Sequence, residues 1–429
     1  MPVPLRPCLR PLELFPVQHQ GETLFALRDS EGLSQTIALP RPLAILAALM
    51  DGRRTLAEIQ AEFRAQVRQA VALADLEQFV SQLEAGHFLD SEAFRTYRRE
   101  ETEKYLALAV RPAAHAGGAY LAEPAELRRQ LGGLFTSAEG PGEPRTVTPA
   151  TNGSPRLRGV LSPHIDLHRG GPAFAWAYKR LIEESDADLF VIFGTAHGPM
   201  RNLFSVSRKS FSTPLGVVET AGEFIDRLES HLPESDGESS IRLFDDELAH
   251  RHEHSIEFQV LFLQYLLGGV RPFRVVPVLT GSFHEFVSRR SQPADSPLVA
   301  GFVSAMRAAE ADFGRVFYIS GGDLAHIGVR FGDTDRLDDA RLKLQSQDDR
   351  QLLENACRAD SAGFFSHVAG AGDQNRICGL SPTYTMLQVM QPAHGELLKY
   401  SQAVEPDGSS CVSFASLAFY GSPPTLTPH

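Results

Sequence analysis

Val316-Phe317-Tyr318-Ile319-Ser320-Gly321-Gly322-Asp323-Leu324-Ala325-His326 is an apolar run that breaks into glycines and ends on a carboxylate and an imidazole. Its apolar residues are consecutive rather than alternate, which predicts a strand buried on both faces, as in a parallel sheet covered by helices. Two upstream stretches repeat the arrangement: Val160-Leu161-Ser162-Pro163-His164, and Phe190-Val191-Ile192-Phe193-Gly194-Thr195-Ala196-His197. In open α/β sheets ligands gather beyond the carboxyl ends of the strands. A lone strand-end histidine is more often structural, but three of them point to one shared site. A metal is the first ligand to expect there, because neutral imidazole suits borderline transition metals.

Outward from these stretches, strand and helix patterns alternate. Strands are expected at 159–162, 189–194, 273–280 and 315–320, and helices near 173–184, 221–231, 254–267 and 296–311. That alternation predicts an α/β sandwich with a largely parallel sheet. Tyr120 to Leu134 reads as a helix with Glu123-Pro124-Ala125-Glu126-Leu127 as its first turn. Ser137 to Arg156, rich in Gly, Pro, Ser and Thr, reads as an exposed loop. Ahead of this unit lies a smaller pattern, so we expect a domain over 1–105 and a larger one over 106–429. In the smaller one Thr23 to Arg28 reads as a strand. Leu43, Ile45, Leu46, Leu49 and Met50 recur at helical spacing until Asp51-Gly52, and Thr55 with Glu58 has the spacing of a capping box. Leu76, Phe79, Val80 and Leu83 form a third helical stripe, and His87-Phe88-Leu89 reads as a closing strand. The result is a small winged-helix-like α+β module.

The chain has 429 residues, more than one hydrophobic core usually supports, with 43% apolar and 22% charged residues. A formal net charge of -12 argues against a general binder of nucleic-acid phosphates. Met1 to Pro16 lacks a continuous apolar core of a signal peptide, and no stretch is apolar for long enough to span a bilayer, so a cytoplasmic location is the expectation. The four cysteines, Cys8, Cys357, Cys378 and Cys411, lack paired spacing, which predicts reduced thiols rather than a disulfide framework.

Around the strand ends, Asp166 is placed to orient an imidazole. In Asp245-Asp246-Glu247-Leu248-Ala249-His250-Arg251-His252-Glu253-His254-Ser255-Ile256-Glu257 the alternating histidines cannot all face one crevice. His254, nearest the apolar helix and beside Ser255 and Glu257, is the candidate; His250 and His252 read as solvated. Cys378 precedes a helix over Thr383–Met390, where the helix dipole and free N–H groups favour thiolate and make it a ligand or nucleophile.

Taken in order, several segments resemble the Memo family, specifically the bacterial branch called AmmeMemoRadiSam system protein B. They are Arg111 to Leu134, Ser162-Pro163-His164, Gly194-Thr195-Ala196-His197, Ser212-Thr213-Pro214-Leu215-Gly216, Glu253-His254-Ser255-Ile256-Glu257, Gly322-Asp323-Leu324-Ala325-His326 and Ile377-Cys378-Gly379. The resemblance implies a sandwich like that of class III extradiol dioxygenases. It implies a His-His-Cys site for iron or copper, with His164, His197 and Cys378 as metal ligands. By the same resemblance Asp323 and His326 flank the metal, with His326 as acid/base, and His254 lines the pocket. Ile165-Asp166-Leu167 and Gly321-Gly322-Asp323 depart from the better-known pattern, which alters the pocket wall but keeps the ligands. The segment from about Glu22 to Asp90 resembles PqqD-like domains, which bind a peptide along a strand edge.

Three functions follow as expectations. One is a non-haem metal-dependent redox enzyme with Fe(II), or copper, acting on an unknown small molecule or peptide, with His326, Asp323 and His254 in the chemistry. A second is a metal-handling or peptide-binding protein without turnover, docked to a radical-SAM partner as the family branch implies. The third, a hydrolase with Cys378 as nucleophile, requires no metal.

Overall fold

The computed structural model describes residues 4–19, 21–145, 156–234 and 240–422, in two compact units, Met1–Ala107 and Leu108–His429. The first unit opens with an antiparallel sheet of β1 (Glu13–His19), β2 (Glu22–Arg28) and β3 (Ile37–Pro40). Four helices follow: α1 (Arg41–Ala48), α2 (Leu56–Val67), α3 (Leu73–Ala85) and α4 (Glu92–Ala107). Ile59 and Phe63 of α2 meet Leu76, Val80 and Leu83 of α3 in one core, as their helical spacing requires. Thr55 caps α2 reciprocally: its hydroxyl accepts from Glu58 N–H, and its own N–H donates to the Glu58 carboxylate at 2.7 Å. Thr55→Ala is expected to cost about 1 kcal/mol of first-unit stability in urea melts. His87-Phe88-Leu89 forms no strand: Leu89 makes only an isolated bridge to Leu9, and His87 turns the chain at φ 62°.

The second unit starts with β4 (Val110–Arg111) and α5 (Pro124–Thr136). Tyr120 lies outside this helix because its carbonyl closes a turn with Gly117 N–H at 2.7 Å. Of the expected loop at 137–156, residues 146–155 lie outside the described residues. Then come β5 (Leu157–Ser162), α6 (Leu167–Glu184), β6 (Leu189–Thr195), β7 (Phe204–Val206), β8 (Ser210–Thr213), β9 (Gly216–Val218), α7 (Gly222–Ser230) and α8 (His254–Leu267). They are followed by β10 (Arg274–Thr280), α9 (His284–Arg289), α10 (Pro297–Ala311), β11 (Val316–Gly321), β12 (His326–Ile327) and α11 (Asp339–Cys357). The chain closes with α12 (Ser361–Gly370), α13 (Leu380–Met390), β13 (His394–Val404) and β14 (Cys411–Tyr420). Asp166 caps α6, so that helix begins six residues before the expected 173 and carries Pro172 inside it.

The main sheet runs β12-β14-β5-β11-β6-β10-β7, with β13 on β14. Only β5, β11, β6 and β10 are parallel, while β7, β12, β13 and β14 pair antiparallel. The expectation of a largely parallel sheet is therefore corrected to a mixed sheet with a parallel centre. β13 and β14 form a hairpin across a short turn, which only antiparallel pairing permits. Side chains alternate between two cores, one on each face. Val191 and Phe193 pack with Phe224, Phe302 and Tyr384, whereas Phe190 and Ile192 pack with Phe174, Phe258 and Phe262. Burial on both faces accounts for the unbroken apolar runs. A smaller sheet, β4-β8-β9, completes the unit. Among the described residues no helix is long and apolar enough to cross a membrane, and all four cysteines are free.

Candidate metal centre

The parallel strands end on one side of the sheet, and their following loops carry His164 (β5), His197 (β6) and Asp323 (β11), while His326 is the first residue of β12. Cys378 arrives from the loop before α13, and His254 is the first residue of α8. His164 is buried. Its N–H donates to Asp323 Oδ1 at 2.9 Å and its Nδ1 to the Gly321 carbonyl at 3.0 Å, since a carbonyl can only accept. Nε2 therefore keeps its lone pair, 3.2 Å from Cys378 Sγ and 3.7 Å from Asp323 Oδ2. Beneath it Gln259 of α8 donates to the Pro163 carbonyl at 2.9 Å.

His197 donates twice to one carboxylate: its backbone N–H to Glu253 Oε2 at 2.9 Å and its Nδ1 to Glu253 Oε1 at 3.0 Å. Glu253 also caps α8 by accepting from Ser255 N–H at 2.9 Å. The His197 ring stacks on His254 with centroids 4.7 Å apart and meets His164 edge-on at 4.9 Å. Its side chain is 42% exposed, so the cleft opens on this side. His326 Nδ1 lies 3.1 Å from the Leu324 and Arg376 carbonyls, which leaves its Nε2 to accept a proton.

Two glycines make the approach of the Cys378 loop feasible. A Cβ on Gly322 would lie 2.6 Å from Gly379 Cα, and one on Gly379 would lie 2.5 Å from the Asp323 carbonyl oxygen. The two backbones touch, with Gly379 N–H donating to that oxygen at 2.9 Å. Thr195 Oγ1 holds the Cys378 carbonyl at 3.0 Å from the side of β6.

Burial, followed by repulsion from His197, lowers the His164 pKa to about 3, and burial takes His254 to about 3 as well. Burial also lowers His197, but its hydrogen bond and charge attraction to Glu253 outweigh that and raise it overall. Burial pushes the Asp323 carboxyl up to about 6, against the pull of His326. The Cys378 thiol is driven well above its ordinary value by burial and then by Asp323. Burial beside carboxylates therefore opposes the thiolate character expected from the helix dipole.

Among the described residues two sets have ligand atoms within 4.8 Å of one another: His164 with His197 and His254, and His164 with Asp323 and Cys378. His164 is common to both, and His326 belongs to neither. Asp166 orients no strand-end imidazole; it caps α6 and pairs with His168 and Arg169. Glu257 does not serve His254 either. It accepts from the Arg111 guanidinium, from His115 N–H and from the Tyr120 hydroxyl, while Glu253 Oε1 lies 3.4 Å from His254 Nδ1. His252 is exposed as expected, but His250 is buried at 1% exposure. The residue that sequence reasoning passed over is Glu253, whose signal was an acidic residue at the N-cap of an apolar helix.

The fold and site define a mixed α/β protein with a sheet-rich core and a cluster of metal-ligand residue types at the carboxyl ends of its parallel strands. Residues 111–418 match the family described as Memo-like protein, and the chain belongs to that family. A MEMO1 family protein of Aquifex aeolicus is 27% identical over 420 residues, covering 95% of this chain and 99% of the relative. MEMO1 family proteins of Methanopyrus kandleri and Ignicoccus hospitalis are 32% and 34% identical over 316 and 320 residues, each covering 72% of this chain and 98% of the relative. The Aquifex alignment is long enough to include most of the first unit.

Proposed function

We propose that the protein holds a redox-active metal, Fe(II) first and copper as the alternative, through His164, His197 and Cys378, and works as an oxidoreductase on a small molecule or peptide. The observation that carries this reading is the anchoring of the imidazoles. His164 and His197 each commit Nδ1 to a carbonyl or carboxylate, the support that metal-ligating histidines ordinarily have, and present Nε2. The chemistry of the donor set, two neutral nitrogens and a sulfur, fits a transition metal rather than calcium or magnesium. When bound, such an ion supplies redox chemistry and open coordination positions. The chain's own residues do the rest: Asp323 fixes the His164 backbone, and His326, its Nδ1 held, takes or returns a proton at Nε2. Helices on both faces of a sheet with ligands at strand ends support an extradiol-dioxygenase-like sandwich. Three strands followed by helices, the second of them capped by Thr55, support a winged-helix-like, PqqD-like first unit.

Metal handling without turnover is the second reading. It is favoured by the two ligand sets that share His164, which offer one ion alternative donors. In that case the first unit docks a peptide or protein partner, a radical-SAM protein being the candidate. Metal analysis of anaerobically purified protein tests the centre itself. About one iron per chain, lost in His164→Ala and Cys378→Ala, is expected of the enzyme, together with substrate-dependent O2 uptake. Stoichiometric copper with no uptake would favour handling, and metal content unchanged in both variants would overturn the site.

A further inference from the structure

We propose that Arg111 is a positioning residue for His197 and His254, acting through the backbone segment that carries Glu253. The inference rests on the metal-centre reading and deepens it. Arg111 sits in β4, fully buried, with its guanidinium 5.0 Å from the Phe211 ring centroid. Its nitrogens reach the stretch from 250 to 257 at three points. Nε donates to the His250 carbonyl at 2.6 Å, one terminal nitrogen to the Glu253 carbonyl at 2.7 Å, and the other to the Glu257 carboxylate. Between the first two contacts lies the turn that delivers Glu253, and directly after it comes His254. Glu253 in turn holds His197 by both its backbone N–H and its Nδ1. The path from Arg111 to the His197 ring is therefore two hydrogen bonds long.

A buried ion pair contributes little to stability over an apolar pair of the same shape, so the Arg111–Glu257 pair is not explained by stability. What an apolar pair lacks is a rigid planar fork that fixes two carbonyls and a carboxylate in one geometry. Glu257 extends the clamp to the opening segment by accepting from Ala114 N–H and His115 N–H, each at 3.0 Å. His115 then packs its ring edge-on against His254 at 5.7 Å.

The test uses Arg111→Lys, which keeps the charge beside Glu257 but cannot span both carbonyls, and the double variant Arg111→Met with Glu257→Gln, which removes both charges together. Two readouts are taken on full-length protein: the Nδ1–H proton that His197 donates to Glu253, expected to be observable by NMR without metal, and affinity for Co(II) as a probe. Loss of that proton signal and a Co(II) affinity reduced about 10- to 100-fold are expected in whichever variant folds. A lower melting temperature with both readouts at wild-type values would show Arg111 to be structural only. If wild-type protein takes up no Co(II), the metal reading falls, and the imidazole proton alone still decides the role of Arg111.

Discussion

Gly379→Ala is expected to lower stability by about 3 kcal/mol and to weaken metal uptake at the proposed centre. The glycine has an ordinary φ of -74°, so conformational freedom is not the reason for it. The reason is the absence of a side chain: a Cβ would stand 2.5 Å from the Asp323 carbonyl oxygen and 3.1 Å from the Gly322 carbonyl carbon. Both are backbone atoms, and no flexible group can swing aside. Relief requires the loop before α13 to back away from the end of β11. That motion breaks the Gly379–Asp323 hydrogen bond and draws Cys378 Sγ away from His164 Nε2, now 3.2 Å apart. Gly322→Ala attacks the same contact from the other side and should behave alike. Chemical denaturation of the two variants, with metal content measured on the same samples, checks the claim. Wild-type stability together with a full complement of metal would show that the two backbones have room to part.

This contact illustrates which parts of the site were legible. His164, His197 and Asp323 announce themselves because each follows a buried strand, with His326 closing the same stretch as Asp323, and strand ends are visible as apolar runs meeting glycine. Parallel order then places them on one side of the sheet with no further information. Cys378 was legible as a reactive residue from its place before a helix, but its partnership with the strand-end residues only through its motif, since its place at the site depends on glycines 57 residues apart in sequence whose backbones touch. The edges of the sheet were less readable. β14, Cys411–Tyr420, is buried along its length but mixes serines with apolar residues, because Ser413 and Ser416 find partners inside the fold: Ser413 Oγ accepts from Ala325 N–H, and Ser416 Oγ donates to the Ala173 carbonyl. Hydrophobic periodicity cannot show a polar residue satisfied by a distant backbone. The same limit explains Glu257, whose obvious neighbours on α8 are not its partners. Those come from 111–120, well over a hundred residues earlier.

His250 departs furthest from its reading as a solvated residue. Acidic residues and an arginine surround it in sequence, so it reads as solvated, yet Arg111 reaches in and fixes its carbonyl beneath the surface. The ring is 1% exposed. Nε2 lies 3.2 Å from Ser205 Oγ, and among the described residues buried Nδ1 has no partner. Burial and then the Arg111 charge drive its pKa to about 3, against weaker opposing pulls from Glu253, Ser205 and Asp246. An unfolded histidine titrates near 6.5. Between those values the unfolded chain binds a proton that the folded one refuses, so stability is fully present above about pH 6.5 and is lost as pH falls. Each unit of pH in this window removes about 1.4 kcal/mol for each such proton. His164 and His254 act with the same sign, and His197, whose pKa is raised, acts with the opposite one. The variant His250→Gln isolates the term, since its amide can still reach Ser205. Unfolding free energy of metal-free protein, measured from pH 6 to pH 4, should fall less steeply in the variant by about one proton, a divergence of about 2–3 kcal/mol across the range. Parallel curves would mean that the imidazole accepts its proton in the folded state, and that the interior around it is more polar than its neighbours indicate.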